Sequence, residues 1–211
     1  MDYLTLAMAT GRTSKQAMAL LEESGIVFPD YHNKSRKLVI YDETNSIKLI
    51  FVKNADLATY VEKGAADIGI IGKDTIMEVQ PDVYELVDLN LGKCQVVVAG
   101  FPDEKLQIGK PITVATKYPQ ITKSFFDQKG IRIETIKLNG SIELAPLIGL
   151  SDVIVDIVET GTTLKENGLV VLDKIFDISA RLIVNKASFA TKTSEVEAFI
   201  HKLKVVLERT Q

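Results

Sequence analysis

Residues 151–168 read SDVIVDIVETGTTLKENG. Val153–Val158 is an apolar run of the length of a buried strand. It ends in Glu159-Thr160-Gly161-Thr162-Thr163, and a short helical segment follows. A strand that feeds a Gly/Thr turn at a helix start is a natural anion cradle, because free backbone amides and the positive end of the helix dipole converge there. Gly161 lets the backbone close around an anion, and the hydroxyls of Thr160, Thr162 and Thr163 add donors. Asp156 and Glu159 flank the turn. They would repel a bare phosphate, but they suit a sugar-phosphate, whose hydroxyls donate to carboxylates. An ordinary αβ turn capped by Thr162 or Thr163 accounts for the same residues, and spacing alone does not separate the two readings.

Outward from this segment, strand and helix signals alternate. Tyr3–Ala9, Lys37–Tyr41, Lys48–Val52, Ile68–Ile71, Gln95–Ala99, Ile112–Ala115, Arg132–Leu138, Val170–Asp173 and Ala180–Val184 read as strands. Helices are expected from Thr13 or Ser14 to Gly25, over Leu57–Lys63 capped by Asp56, from Asp74, over Pro119–Lys129 and over Ile142–Leu150. The last helix, Ser194–Arg209, carries a capping box of Ser194 and Glu197 and an apolar stripe of Val196, Phe199, Ile200, Leu203 and Leu207. Such alternation argues an α/β architecture with mostly parallel sheet.

Composition narrows the function. The chain has 211 residues, 46% of them hydrophobic and 25% charged, with a net charge of −3. That fits a globular protein with a sizeable core and gives no general affinity for nucleic acid. The sole cysteine, Cys94, excludes an internal disulfide and a cysteine-cluster zinc site. The two histidines, His32 and His201, have no metal-ligand spacing, so no protein-held metal is expected. Met1–Gly11 lacks the apolar core of a signal peptide, and no apolar run reaches the ~18 residues of a membrane span. The expected compartment is the cytoplasm.

Other turns were weighed for ligand contact. Gly69-Ile70-Ile71-Gly72-Lys73-Asp74-Thr75 fails as a P-loop, because Asp67 stands where the first glycine belongs and Asp74 where Ser or Thr belongs. Gly72 and Asp74 still mark a strand-to-helix turn open to a ligand. Ala9-Thr10-Gly11-Arg12 puts a cation at a helix start, against the dipole, which hints at an anionic ligand; an exposed arginine is the simpler account. Arg36, in Ser35-Arg36-Lys37, and Lys53 stand next to strands and by themselves read as solvated charges. Glu143 falls in a first helical turn, where the dipole favours it. Nucleophilic catalysis has no support: no serine lies in a Gly-x-Ser-x-Gly elbow.

Taken together, Asp56–Asp74 (DLATYVEKGAADIGIIGKD), Leu91–Ala99 (LGKCQVVVA), Val114–Pro119 (VATKYP) and the block LNGSIELAPLIGLSDVIVDIVETGTTLKENGL make the chain resemble the ATP phosphoribosyltransferase family in its short form, over nearly the whole length. The resemblance implies a two-lobed fold like that of type II periplasmic binding proteins, with strand crossings near Leu91–Ala99 and Ala180–Asn185. Lobe one would be 1–91 plus 181–211, the ATP side and dimer-forming, and lobe two 92–180, with the phosphate loop. The implied reaction joins N1 of the ATP adenine to C1 of phosphoribosyl pyrophosphate (PRPP), as the first step of histidine biosynthesis, with Mg²⁺ carried by the substrate phosphates. Glu159–Thr163 would hold the PRPP 5′-phosphate. Arg36 and Lys53 would neutralise the departing pyrophosphate, and Gly11, Arg12, Gly72, Asp74, Glu143 and Asp156 would contact substrates. Thr10 stands where the family usually has lysine, and Lys53 where it usually has arginine.

The chain reads as stopping after its last helix, without the histidine-binding domain of longer members. The resemblance therefore implies a homodimer within a hetero-oligomer that includes a regulatory subunit resembling histidyl-tRNA synthetase. Two alternatives share parts of the pattern: a two-lobed small-molecule binding protein, and a salvage phosphoribosyltransferase that uses a free base.

Overall fold

A computed structural model describes residues 3–32, 36–104, 106, 109 and 111–209. In chain order the elements are β1 (Leu4–Ala9), α1 (Arg12–Glu23), β2 (Val39–Tyr41), β3 (Ile47–Val52), α2 (Asn54–Glu62), β4 (Ile68–Gly72), α3 (Lys73–Val79), β5 (Val83–Asp88), β6 (Cys94–Gly100), β7 (Ile112–Thr116), α4 (Pro119–Gln128), β8 (Ile133–Lys137), α5 (Leu144–Leu147), β9 (Val153–Val158), α6 (Thr162–Glu166), β10 (Val170–Ile178), β11 (Ala180–Asn185), α7 (Lys186–Thr191) and α8 (Thr193–Arg209). They form two compact units. Unit 1 is Met1–Gly92 with Ser179–Gln211, and unit 2 is Lys93–Ile178.

Unit 1 holds a sheet of order β2-β3-β1-β4-β11-β5, and unit 2 one of order β10-β6-β9-β7-β8. Both are mixed, which corrects the expectation of mostly parallel sheet. β1 runs parallel to β3 and β4, while β11 is antiparallel to β4 and β5. In unit 2, β7 is parallel to β8 and β9, and β6 is antiparallel to β9 and β10. Strand alternation sorts the core of unit 1. Leu4, Leu6 and Met8 pack with Leu21 of α1 and with Val196, Phe199 and Leu203 of α8. Ala7 faces the other way, against Leu57, Ala58 and Val61 of α2. The apolar stripe predicted for the last helix thus covers one face of this sheet, and each fully buried side chain of it contributes about 1.5–3 kcal/mol.

Local chemistry moved several boundaries. α5 is one turn where a longer helix was expected: Pro146 lacks an amide, and Gly149, at φ +72°, ends the turn with its N–H on the Pro146 carbonyl at 3.2 Å. α2 begins at Asn54 with Lys53 as its N-cap residue, so Asp56 lies in the first turn instead of capping it. α8 starts at Thr193, and Ser194 Oγ donates to the Glu195 carboxylate at 2.8 Å, in place of the expected capping box. β5 was not expected. It is an edge strand whose Tyr84, Glu85 and Leu86 face solvent, and it is tied to the sheet by Arg181–Asp88 and Lys73–Glu85 ion pairs at 2.7 and 2.5 Å. α7 was not expected; Asn185 caps it by accepting from the Ser188 amide at 2.9 Å.

The return segment is fastened through one buried carboxylate. Asp67 accepts from the Thr5 amide at 2.7 Å, the Ser188 hydroxyl at 2.6 Å and the Lys192 ammonium at 2.9 Å. Burial alone would raise its pKa, but these bonds outweigh it and hold the carboxyl below its ordinary 3.8. A depressed folded value gives stabilisation that is complete above the unfolded pKa and is lost as pH falls through the folded one. Asp67→Ala is therefore expected to lower unfolding stability by roughly 3 kcal/mol at pH 7, because it leaves a cation and an amide without their partner. The deficit should shrink below about pH 4, as the wild-type carboxyl protonates. Urea denaturation at pH 7 and pH 3 checks both statements.

Candidate active site

In unit 2, the ends of β7, β8 and β9 gather the predicted residues. β9 leaves its last rung at Val158, the chain bends through Glu159 and Thr160, and Gly161 precedes α6 with φ +73° and ψ 4°. Gly161 is thus the N-cap residue, and neither Thr162 nor Thr163 is, so the alternative of a turn capped by one of those threonines does not hold. A left-handed backbone is strained for any residue with a Cβ, so glycine is needed here on conformational grounds. The nearest atom to such a Cβ would be Val158 Cγ1, in ordinary contact at 3.7 Å. The Thr160 and Thr162 hydroxyls lie 3.0 Å apart, and Thr160, Thr162 and Thr163 are exposed. The first amides of α6 have no partner within the helix, and that of Thr162 makes only a long bond to Thr160 Oγ1, at 3.4 Å. The turn therefore offers hydroxyls and amides together to an anion.

Asp156 lies on the face of β9 that also carries Ile154 and Val158, and this face packs with Ile142, Ala145 and Leu164 around α5 and α6. It is partly buried and accepts from the Ile157 amide at 2.8 Å. Burial pushes its carboxyl up to about 6. The Ile157 amide opposes that rise, the negative charge of Glu143 adds to it, and Lys117 pulls the value down. Glu143, the residue before α5, is thus close enough to Asp156 to act on its charge. The fold brings Glu143 and Asp156 together at the same strand ends that carry Glu159–Thr163. Lys117 joins them, and the sequence reading assigned it no role. Its signal was present, since it occupies the strand-to-helix step between β7 and Pro119, the first residue of α4.

In unit 1 the parallel strands β1, β3 and β4 end on one edge of the sheet, at Ala9, Val52 and Gly72. Carboxyl ends of this kind are where open α/β sheets take ligands. Gly11 caps α1 with the help of Ser14, whose hydroxyl accepts from the Gly11 amide at 2.9 Å and donates to its carbonyl at 2.7 Å. Arg12 is the first helical residue. A cavity of about 470 Å³ opens beside them, lined by Gly11, Arg12, Lys15, Tyr31, His32, Arg36, Lys37 and Phe51 among others. The structure therefore brings Arg36 to Gly11 and Arg12; Ser35 lies outside the described residues. Tyr31 and Phe51 stack at 6.1 Å with 23° between their planes, an apolar wall in a cationic cavity. Lys53 is exposed beyond β3 and does not line this cavity. Gly72 caps α3 with the buried Asp74 folded against it: a Cβ at position 72 would stand 2.1 Å from Asp74 Oδ1. Tyr31, Phe51 and Lys15 were missed as cavity residues, although Lys15 is one helical turn from Arg12. Among the described residues no three His, Cys, Asp or Glu side chains are grouped to hold a metal ion, and no helix is long and apolar enough to cross a membrane.

Two α/β units with ligand-type turns at their carboxyl strand ends define a type II periplasmic-binding-protein-like fold. A family model described as ATP phosphoribosyltransferase matches residues 53–205. An ATP phosphoribosyltransferase of Oceanobacillus iheyensis is 51% identical over 98% of this chain and 100% of its own length. One from Clostridium acetobutylicum is 49% identical over 98% of this chain and 96% of its own. The solved ATP phosphoribosyl transferase (HisG:HisZ) complex from Thermotoga maritima contains a chain that superposes with a TM-score of 0.84 at 36% identity, covering 98% of this chain and 99% of that one. The chain belongs to the ATP phosphoribosyltransferase family.

A carboxylate held at a raised pKa weakens the fold. Between the unfolded value of 3.8 and the folded value of about 6, the folded state binds the extra proton, so stability falls as pH rises through that window. Asp156→Asn is expected to match the wild type near pH 4 and to be more stable by about 1–3 kcal/mol at pH 8. Thermal unfolding of the substrate-free chain at the two pH values measures the difference.

Proposed function

We propose that the chain transfers the phosphoribosyl group of PRPP to N1 of ATP, giving phosphoribosyl-ATP and pyrophosphate, the first step of histidine biosynthesis, in the cytoplasm. The observation that carries this reading is the grouping of the Gly161 cradle with the Asp156 and Glu143 carboxylates. One part suits a 5′-phosphate and the other the ribose hydroxyls beside it. We assign PRPP to unit 2 (Lys93–Ile178) and ATP, together with the dimer contact, to unit 1. The Tyr31–Phe51 wall suits a purine, and Arg12 and Arg36 suit phosphates.

Adenine N1 carries a free lone pair, so no strong general base is required. The barrier lies in breaking the C1–O bond while positive charge grows on the ribose and negative charge on pyrophosphate. Catalysis then rests on positioning and on cations aimed at the leaving group. Arg36 and Lys53 take that part in this reading. Mg²⁺ carried by the substrate phosphates would supply further charge neutralisation there. Lysine at 53 keeps the charge but lacks the bidentate fork of arginine. Gly72 shapes the turn, and Asp74 holds it. The chain is further assigned a HisZ-type regulatory subunit, resembling histidyl-tRNA synthetase, on its likeness to the Thermotoga maritima complex.

The deciding measurement is pyrophosphate release with ATP and PRPP, with free adenine in place of ATP as the contrast. No release with ATP would favour a binding protein, and preference for adenine a salvage enzyme. Arg36→Ala and Lys53→Ala are each expected to lower kcat about 10²–10³-fold with smaller changes in KM, because the charge they meet develops only as pyrophosphate leaves. A raised KM at unchanged kcat would make the contact one of uniform binding. Gly161→Val is expected to weaken PRPP binding at least about tenfold while the chain stays folded, since the left-handed turn is lost. Calorimetric titration with PRPP, alongside circular dichroism, reads both.

A further inference from the structure

Lys117 has its place fixed by the sheet. Thr116 pairs with Val155 on the parallel β7–β9 ladder, so Lys117 and Asp156 are the next residues beyond one rung on neighbouring strands. Thr116 Oγ1 donates to the Val155 carbonyl at 2.8 Å and accepts from the Tyr118 amide at 2.9 Å, which holds the turn around Lys117 against β9. The Leu138 amide donates to the Thr116 carbonyl at 3.0 Å and draws in the end of β8, from which the chain runs on to Glu143. The Lys117 ammonium lies 5.9 Å from the centroid of the buried Tyr118 ring, and Lys117 itself is exposed. The charged groups that act on Asp156 are Glu143, from the start of α5, and Lys117, from the end of β7. Two carboxylates and one cation thus share the strand ends beside the anion cradle.

We propose that Lys117 is a positioning residue of the ribose subsite, whose ammonium offsets the crowding of Asp156 by Glu143 so that the Asp156 carboxylate accepts from a sugar hydroxyl at neutral pH. This assignment rests on the PRPP reading above. Without the cation, the Glu143 charge and burial act on Asp156 unopposed by it, and the carboxyl keeps its proton to higher pH. A protonated carboxyl donates where the sugar hydroxyl needs an acceptor. The effect is screened, because Lys117 is exposed, so it should be a fraction of the 1–3 units seen for a close opposite charge.

Two readouts test this on the full chain. The acid limb of kcat/KM for PRPP reports the free enzyme. It should lie near pH 6 in the wild type, from the value of about 6 for Asp156, move up by about 0.5 unit or more in Lys117→Met, and return in Lys117→Arg. Carbon-13 NMR of aspartate carboxyls, without substrates and with Asp156 assigned by its loss in Asp156→Asn, should show the same displacement. An Asp156 titration that Lys117→Met leaves in place overturns the proposal whatever the activity. A shifted titration in a chain that turns over no PRPP overturns the reaction instead, and with it the ribose half of the assignment.

Discussion

The partly buried contact between Asp67 and Lys192 is the tie on which unit 1 depends. The chain leaves this unit after Gly92 and re-enters it at Ser179, so the sheet of unit 1 is completed only by a segment far away in sequence. Closing so long a loop costs conformational entropy, which must be recovered by contacts at the seam. Hydrophobic cover from α8 supplies the bulk of it, but apolar contact is non-directional and sets no register. Direction comes from polar atoms. Besides its side-chain bonds, Asp67 gives its carbonyl to the Asn185 amide at 2.9 Å and its own amide to the Thr5 carbonyl at 2.9 Å. The Asn185 side chain donates to the Val61 carbonyl at 2.8 Å, and Lys192 reaches the Tyr3 carbonyl at 2.8 Å. One neighbourhood thus locks β1, α2, β4, β11 and α7 in a single register. The carboxyl strand ends of β1 and β4 are held in place by this lock at their other ends.

The two units repeat one solution with opposite chemistry. In each, parallel strands end on one edge and the turns that follow carry the candidate ligand groups. Unit 1 presents Arg12, Lys15, Arg36 and Lys37 around an aromatic wall. Unit 2 presents backbone amides and hydroxyls for an anion, with carboxylates beside them. In the proposed reading, a phosphate in unit 2 would be met by dipoles more than by full charges. That arrangement leaves room for acidic groups close by, with the exposed Lys117 as the cation that offsets them.

Much of this was legible in the sequence, and the reasons differ by element. β9 was read with its observed ends, because the run Val153–Val158, apolar except for Asp156, is bounded by Asp152 and Glu159. The stripe of α8 was equally plain, since Val196, Phe199 and Leu203 repeat at helical spacing. β5 was not legible: its residues are largely exposed, and what makes it a strand is β11, which lies far along the chain. The antiparallel turns of both sheets are likewise set by long-range pairing that no local pattern records. At the site, Gly161 and its threonines announced themselves locally. The cavity of unit 1 did not, because Tyr31 and Phe51 meet only when β3 is laid beside β1. A turn capped by Thr162 or Thr163 was the alternative reading on residue type; the left-handed backbone at Gly161 took the cap position, and both threonines are exposed.

The reaction assigned here asks for no proton transfer at the attacking atom, and the site is built accordingly. A general base would need a pKa near the working pH and a place beside the nucleophile. Asp156, whose carboxyl burial raises to about 6, is assigned in this reading to the ribose hydroxyls, and adenine N1 carries no proton for it to take. Its raised value serves no proton transfer in this scheme and is better understood as a cost of placing an acceptor against an apolar face next to Glu143. Such a cost is tolerable because a hydrogen bond between a charged acceptor and a sugar hydroxyl is stronger than a neutral one. It also grows more favourable as the ribose gains positive charge on the way to the transition state. Desolvation, which penalises the empty site, would make the same carboxylate a stronger acceptor for a bound sugar.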